Sequence, residues 1–391
     1  MSKANLTIAL AAAPVLLAAQ NVNVVNAYNH MKANELPKAV EYIELATQDP
    51  KTGISEKTWR YRGEIYFRIF TGDDQALKAQ FPDAASKSVE SYFKANEFDA
   101  KGSYKRDNDR LLRQLQGLSL NAGNEAFTNK RFDDAIGLYA VSERVAKGFG
   151  EADTNAIFNS ALAFDSKGDN AGAIRRYRDA IAAGYPGSEV YRYLASVHRR
   201  SDDMNGAIEA TRDGLKRFPK DKDLNMDFVT YLLQADRSEE AETSVQNALK
   251  IDPDNAVLWS VLGSLYDKRA NAASEAGNEA DMNMWYNKAE EAYTNSIAKD
   301  PTVIDAYFNV GVLYNNRAAF EYEKCNKLRS DKDYLKCKEG ADAVYMKALP
   351  YFEKAHELKP DDNQVIGQLM KLYAKMNDQA KYEVMKAKMT K

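Results

Sequence analysis

The sequence predicts an all-α chain built as an α-solenoid of antiparallel helix pairs, and three observations carry that expectation. Ala207 and Pro219 recur as Ala241 and Pro253, each at an interval of 34 residues. A fixed period of about 20 to 50 residues marks units that bury their apolar faces against neighbouring copies. Alanine, lysine, glutamate and leucine recur at helical spacing, and ten prolines and twenty glycines in 391 residues are too few for a disordered or fibrous chain.

The apolar content of 45% can fill a core, and the 28% of charged residues spread along the chain describe solvated helix faces. A formal net charge of −3 argues against a general affinity for nucleic acid.

Taken in order, the chain opens with Lys3 followed by an apolar run from Leu6 to Ala19, after which Gln20 to Asn23 are polar. This is the order of a secretory signal peptide covering residues 1–19, with a cleavage point between Ala19 and Gln20. The run is too short to span a bilayer comfortably, and no cysteine follows it to carry a lipid. The expectation is a periplasmic or secreted protein; the alternative is a retained, buried first helix in a cytoplasmic one.

Residues 20–391 then hold one register. Ala27, His30, Ala39 and Ala46 form a degenerate first unit, followed by Trp59, Gly63 and Tyr66 with Ser88, Tyr92 and Ala95. Gly123, Ala135, Tyr139 and Ser142 give the third, Phe164, Ala173, Tyr177 and Ala180 the fourth, and Tyr191, Leu194, Ala195 and Ala207 the fifth. Beyond the pair at Pro219 and Pro253 come Trp259, Leu262, Gly263 and Tyr266 with Ala289, Tyr293, Ser296 and Pro301. Tyr307, Gly311 and Tyr314 with Ala348, Phe352, Ala355 and Pro360 follow, then Leu369, Tyr373, Ala380 and Ala387. These residues resemble the tetratricopeptide repeat, whose first helix reads W-x2-L-G-x2-Y and whose second carries a small residue, an aromatic, another small residue and then Pro. The resemblance implies about nine helix pairs stacked into a right-handed superhelix with a concave, ligand-facing side. The lysines of the last helix, Lys381, Lys386, Lys388 and Lys391, read as a solvated cap.

Three units are lengthened between their two helices. The first gains residues around Thr71 to Pro82, where Gly72, Asp73, Asp74 and Pro82 predict a loop. The other two keep helical composition and predict extended hairpins at about 267–288 and 315–347, turning at Gly277 and Asn278 and at Ser330 and Asp331. Cys325 and Cys337 are the only cysteines, and their midpoint is residue 331. If the turn lies there they face each other, and a disulfide would staple the extension, which fits an oxidising compartment; two buried free thiols are the alternative. Zinc would need further ligands.

No nucleophile elbow, phosphate-cradling glycine loop, zinc-protease helix or dinucleotide fingerprint is present, so the expectation is a non-enzyme with no catalytic residue, cofactor or metal. His30 and His198 fall where the repeat places Tyr, and His356 stands alone on a second helix. The acid pairs Asp133-Asp134, Asp202-Asp203 and Asp361-Asp362 sit at helix starts, where they cap or complement the dipole.

The resemblance places ligand contacts on exposed first-helix positions. Mapped onto this register they are Arg60, Phe67, Asn124, Phe158, Asp165, Arg192, Ser196, Arg199, Phe308 and Asn315, with Glu64, Phe127 and Val312 in the same rows. Aromatics alternating with polar groups suit a protein or peptide segment. Arg192 and Arg199 share a face and either grip a carboxylate or form a solvated stripe paired with Asp202 or Glu189. The Lys-to-Asn pattern of the chaperone-tail clamp is replaced here by Arg60 with Glu64 and Arg192 with Ser196, so that activity is not carried over. The tract Arg175-Arg176-Tyr177-Arg178 interleaves basic and aromatic residues, but Tyr177 holds a core position and a nucleic-acid role is not expected. The leading expectation is a scaffold or adaptor holding a protein partner in its groove, with no small-molecule cofactor and membrane association only through a partner. The alternative is a subunit of a larger cell-envelope complex, or a glycan-associated protein using Trp285, Tyr286 and Tyr322 of the lengthened hairpins.

Overall fold

The computed structural model describes residues 12–389, which contain helices and turns and no strand. The chain divides into two compact units, one ending at Asp202 and the other starting at Asp203. In the first, α1 (Ala12–Lys32) pairs with α2 (Leu36–Gln48). Next, α3 (Glu56–Thr71) pairs with α5 (Ala84–Phe98), with the short α4 (Gln75–Gln80) inserted between them. α6 (Lys105–Thr128) pairs with α7 (Phe132–Gly148), and α8 (Thr154–Lys167) with α9 (Asn170–Ala182). α10 (Glu189–Arg200) closes this unit and α11 (Met204–Arg217) opens the next.

The second unit continues with α12 (Lys222–Gln234) and α13 (Ser238–Ile251), then α14 (Ala256–Glu275) and α15 (Glu279–Lys299). Then α16 (Ile304–Cys325), α17 (Asp331–Met346) and α18 (Leu349–Leu358) form a three-helix unit, and α19 (Asn363–Lys375) with α20 (Gln379–Met389) ends it. The described helices group as eight pairs, two of them carrying an extra helix, with α10 ending the first unit and α11 starting the second. Of the expected signal peptide, residues 1–11 lie outside the described residues, and α1 runs through the expected cleavage point between Ala19 and Gln20.

Four of the pairs are locked by an aromatic ring of the second helix laid on a glycine of the first. A Cβ at Gly123 would stand 2.6 Å from the Tyr139 ring, one at Gly263 2.6 Å from Tyr293, one at Gly311 2.6 Å from Phe352, and one at Gly63 3.0 Å from Tyr92. All four rings are buried to 1% exposure or less. The glycines are in the helices because only a missing side chain lets the ring reach the partner backbone, and close packing admits no gap there. A polar atom completes several locks: Tyr139 donates to Asn124 Oδ1 at 2.9 Å, and Ser88 and Ser296 donate to backbone carbonyls of their first helices at 2.9 and 2.7 Å.

The turns show the same repetition. Six of the eight hairpins reverse through a left-handed residue, Asn34, Lys130, Gly168, Asp236, Gly277 and Asn377, and the turn from α10 to α11 has another at Asp202. Around it the next backbone N–H returns to the carbonyl five residues earlier, as in Arg131 to Ala126 at 2.8 Å and Asp378 to Tyr373 at 2.9 Å, the bond that satisfies an orphan helix-end acceptor. Asp153, Asp169, Asp203, Asp221 and Asp362 each cap a helix by accepting its early backbone N–H groups. Asp133 and Asp134 do not cap; they lie in the first turn of α7 and pair with Lys167 and Arg131.

The lengthened regions differ from expectation in two places. Thr71 to Pro82 is not a plain loop, because Asp74 caps a helical turn by accepting from Leu77 N at 3.0 Å. The second extension turns at Asn326 to Arg329, earlier than expected, since Ser330 is the N-cap of α17 and Asp331 already helical. Cys325 is the last residue of α16 and Cys337 lies nearly two turns into α17, so they are not equidistant from the turn. They nevertheless stand with Cα atoms 5.5 Å apart, the separation a disulfide spans. The first extension turns at Gly277, whose φ of +71° supplies the reversal.

The glycine lock predicts opposite effects at two glycines. Gly263→Ala should lower stability by about 1 to 3 kcal/mol, because the buried Tyr293 ring must shift. Gly340→Ala, in α17 with nothing within 4 Å of the added Cβ, should raise it by up to about 1 kcal/mol through helix propensity. Denaturant unfolding of the two variants checks both signs.

Candidate functional site

The first helices of successive pairs carry the sequence-predicted contact residues, and the two units treat them differently. In the first unit the polar ones satisfy one another. Asn124 accepts from Tyr139 and from Asn159 Nδ2, both at 2.9 Å. Asp165 accepts from the Tyr177 hydroxyl at 3.2 Å and is ion-paired with Arg200. Arg200 also donates to Ser196 Oγ at 3.1 Å, so the guanidinium paired with Asp165 is that of Arg200, a residue outside the sequence-predicted contacts. Arg199 is exposed and Arg192 half-buried. Arg60 is engaged by Glu56 at 2.6 Å and stacks on Tyr104 at 4.2 Å.

The aromatic members are core residues more than surface ones. Phe158 is only 7% exposed, stacked on Tyr185 at 4.3 Å with Tyr177 and Tyr193 around it, which corrects the expectation of a surface contact. Phe67 packs into the cluster around Val89 and Tyr92. Tyr177 is fully buried, and Arg176 beside it is held by Glu143 and Asp179, so this tract presents no ring for base stacking.

In the second unit the corresponding row has groups left over. Aligning Tyr266 with Phe164 and Tyr314 puts Asp267 in the same register as Asp165 and Asn315. Sequence reasoning named those two and missed Asp267, though the spacing that found its counterparts also marks it. Asp267 Oδ1 is buried with no hydrogen-bond partner, and so is Asn315 Oδ1. Asn315 Nδ2 donates to Gln368 Oε1 of α19 at 3.2 Å. Nearby, Asn271 Oδ1 accepts from Tyr286 at 2.9 Å, and Phe308 lies edge-on to Phe352 with ring centroids 5.7 Å apart.

Cations close to Asp267 in the chain are committed elsewhere. Lys268 binds Asp236 at 2.6 Å and Arg269 binds Glu242 at 2.9 Å, stacking also on Trp285 at 4.8 Å. Burial alone pushes the Asp267 carboxyl up to about 6, since low-dielectric surroundings disfavour its charged form.

Other expected sites resolve as structure. His198 is buried beside Arg178, and His30 stacks on Tyr42 while meeting Glu35. His356 contacts Lys388 at 2.6 Å, and burial, then the lysine charge, lowers its pKa. Tyr286 is buried, Trp285 packs on Tyr266, and Tyr322 donates to Asp342, so the rings of the extensions are taken up by their own hairpins. Among the described residues there is no group of three or more His, Cys, Asp or Glu suited to a metal ion, and no helix is long and apolar enough to cross a membrane.

Successive helix pairs, four of them closed by a glycine–aromatic lock, define an α-solenoid repeat protein. Residues 158–222 match the family described as tetratricopeptide repeat. It is 24% identical over 278 residues to Hsp70-Hsp90 organizing protein 1 of Glycine max, covering 66% of this chain and 44% of that one. It is 27% identical over 170 residues to the DnaJ homolog subfamily C member 7 homolog of Schizosaccharomyces pombe, covering 43% and 34%. The chain thus spans less than half the length of these relatives. Among solved structures, YrrB, described as a TPR protein with an unusual peptide-binding site, is 16% identical with a TM-score of 0.36, over 56% of this chain and 96% of that one.

The buried carboxyl makes stability depend on pH in a definite sense. Its folded-state pKa lies above the unfolded value near 4, so the fold binds the proton more tightly and loses stability as pH rises from about 4 to about 6. Asp267→Asn should therefore be more stable than wild type by about 2 kcal/mol above pH 7, with the difference shrinking towards pH 4. Paired urea titrations at the two pH values measure it.

Proposed function

We propose that the protein is a non-enzymatic scaffold that holds a segment of a protein partner along the first-helix row of its second unit. The observation that carries this reading is the pair of buried acceptors, Asp267 Oδ1 and Asn315 Oδ1, left without donors on neighbouring first helices. Unmet buried acceptors are disfavoured in a fold that has no use for them, and the equivalent first-unit positions are filled from within. The named relatives of the chain include an organizing protein for two chaperones, which is in keeping with a role in bringing proteins together. A photo-crosslinking residue at Ser264, on the proposed face, should capture a partner in cells. The same residue at Thr294, exposed on a second helix, should not; capture only from Thr294 would overturn the choice of face.

The proposal includes export with removal of residues 1–19 and a bridge between Cys325 and Cys337. Support comes from the polar-apolar-polar order at the N-terminus and from the 5.5 Å separation of the two Cα atoms. α17 has Ala341 as its one buried residue, so a covalent tie would hold a helix that burial alone holds weakly. The mature protein should begin at Gln20 by N-terminal sequencing, and reduction should raise its intact mass by two hydrogens. A chain starting at Met1 with two alkylatable thiols would remove both statements.

A further inference from the structure

The second unit's unmet acceptors also specify what kind of segment would fill them. Both orphans are oxygens, so the missing partners are donors. Asp267 is the more demanding, because a buried carboxylate lacking a countercharge is far costlier to keep than a buried amide oxygen. It cannot be neutralised from within: Lys268 and Arg269 on its own helix are turned to Asp236 and Glu242, and Arg317 on α16 is held by Glu290 at 3.1 Å. The titratable groups that α15 brings to Asp267 are the hydroxyls of Tyr286 and Tyr293, the first bonded to Asn271 and the second to Ser264. The α14 face is thus acidic at this one point and polar or apolar around it, with Phe308 and Val312 following on α16.

We propose that Asp267 receives a lysine or arginine side chain of the partner segment, and that Asn315 accepts an N–H from the same segment about three residues away. The spacing follows from geometry: packed helices stand about 8–10 Å apart, and an extended chain advances about 3.3 Å per residue. This assignment rests on the first-helix row being the binding face. A charge-assisted hydrogen bond to a desolvated carboxylate is among the strong polar contacts, and a carboxyl that stays protonated near pH 5 in the free protein must ionise to make it. Binding of the basic side chain therefore releases a proton at low pH, and affinity rises with pH up to about 6 and then levels.

The test uses the full-length protein and a set of acetylated, amidated nonapeptides sharing one extended alternating Val/Gln background, with Lys, Arg, norleucine, Gln or Glu at the central position. Fluorescence anisotropy at pH 7.5 and pH 5 gives the affinities. The Lys and Arg peptides are expected to bind wild type at least about tenfold more tightly than the norleucine and Glu peptides at pH 7.5. That preference should shrink at pH 5 and disappear in Asp267→Asn. Because Asp267→Asn removes a buried charge it should remain folded, which its thermal melt verifies. Binding of all peptides alike, or a basic preference that survives Asp267→Asn, would overturn the assignment while leaving the groove intact. Binding of no peptide to wild type would overturn both it and the groove reading.

Discussion

The contact on which the molecule depends is the seating of an aromatic ring against a bare stretch of helix backbone. At Gly63, Gly123, Gly263 and Gly311 the absence of a Cβ brings the paired ring from the second helix into direct contact with the first. A ring so placed buries a large apolar area at the hairpin's narrowest point and fixes how far the two helices can slide. Register along the first helix then follows. The residue one position after Gly123 meets the Tyr139 hydroxyl, and outward positions fall in rows from one pair to the next. The candidate site is therefore a by-product of packing: Asp267 and Asn315 occupy equivalent places because their helices are set by equivalent locks.

That dependence explains how much was legible beforehand. The helix pairs, the turn at Gly277 and the insertion points could be read because small and aromatic residues recur where paired helices touch, and local sequence dictates them. Helix ends were less legible. Ser330 and Asp331 looked like a turn by composition, yet Ser330 acts as a cap and Asp331 enjoys the first turn's favourable dipole. The α4 helix was missed because six residues between Asp74 and Phe81 carry too little periodicity to distinguish a turn of helix from a loop.

The site was legible by position and not by state. Register assigned Asp165 and Asn315 to one row, but which carboxylate finds an internal partner depends on residues far off in sequence, such as Arg200 for Asp165, 35 positions away. Phe158 illustrates the converse. An aromatic at a first-helix surface position looks available until Tyr185, in the connection before the next pair, is found lying over it. Burial in a repeat protein is decided by the neighbouring copy, and the irregular connections between copies are where sequence pattern carries least information.

The left-handed turn residues bear on how this chain came to differ from a plain array. Six pairs reverse through one such residue, and the two that do not are those containing α4 and α17. The reversal is the single point in each pair that touches neither the lock nor the first-helix row, so its identity can drift among Asn, Lys, Asp and Gly. It is also where added chain can be accommodated without disturbing the stack. Lengthening there lets a repeat acquire private architecture, such as α17, while its contribution to the common face is preserved. Diversification and binding are thereby assigned to opposite ends of the same hairpin, and each can be altered with little effect on the other.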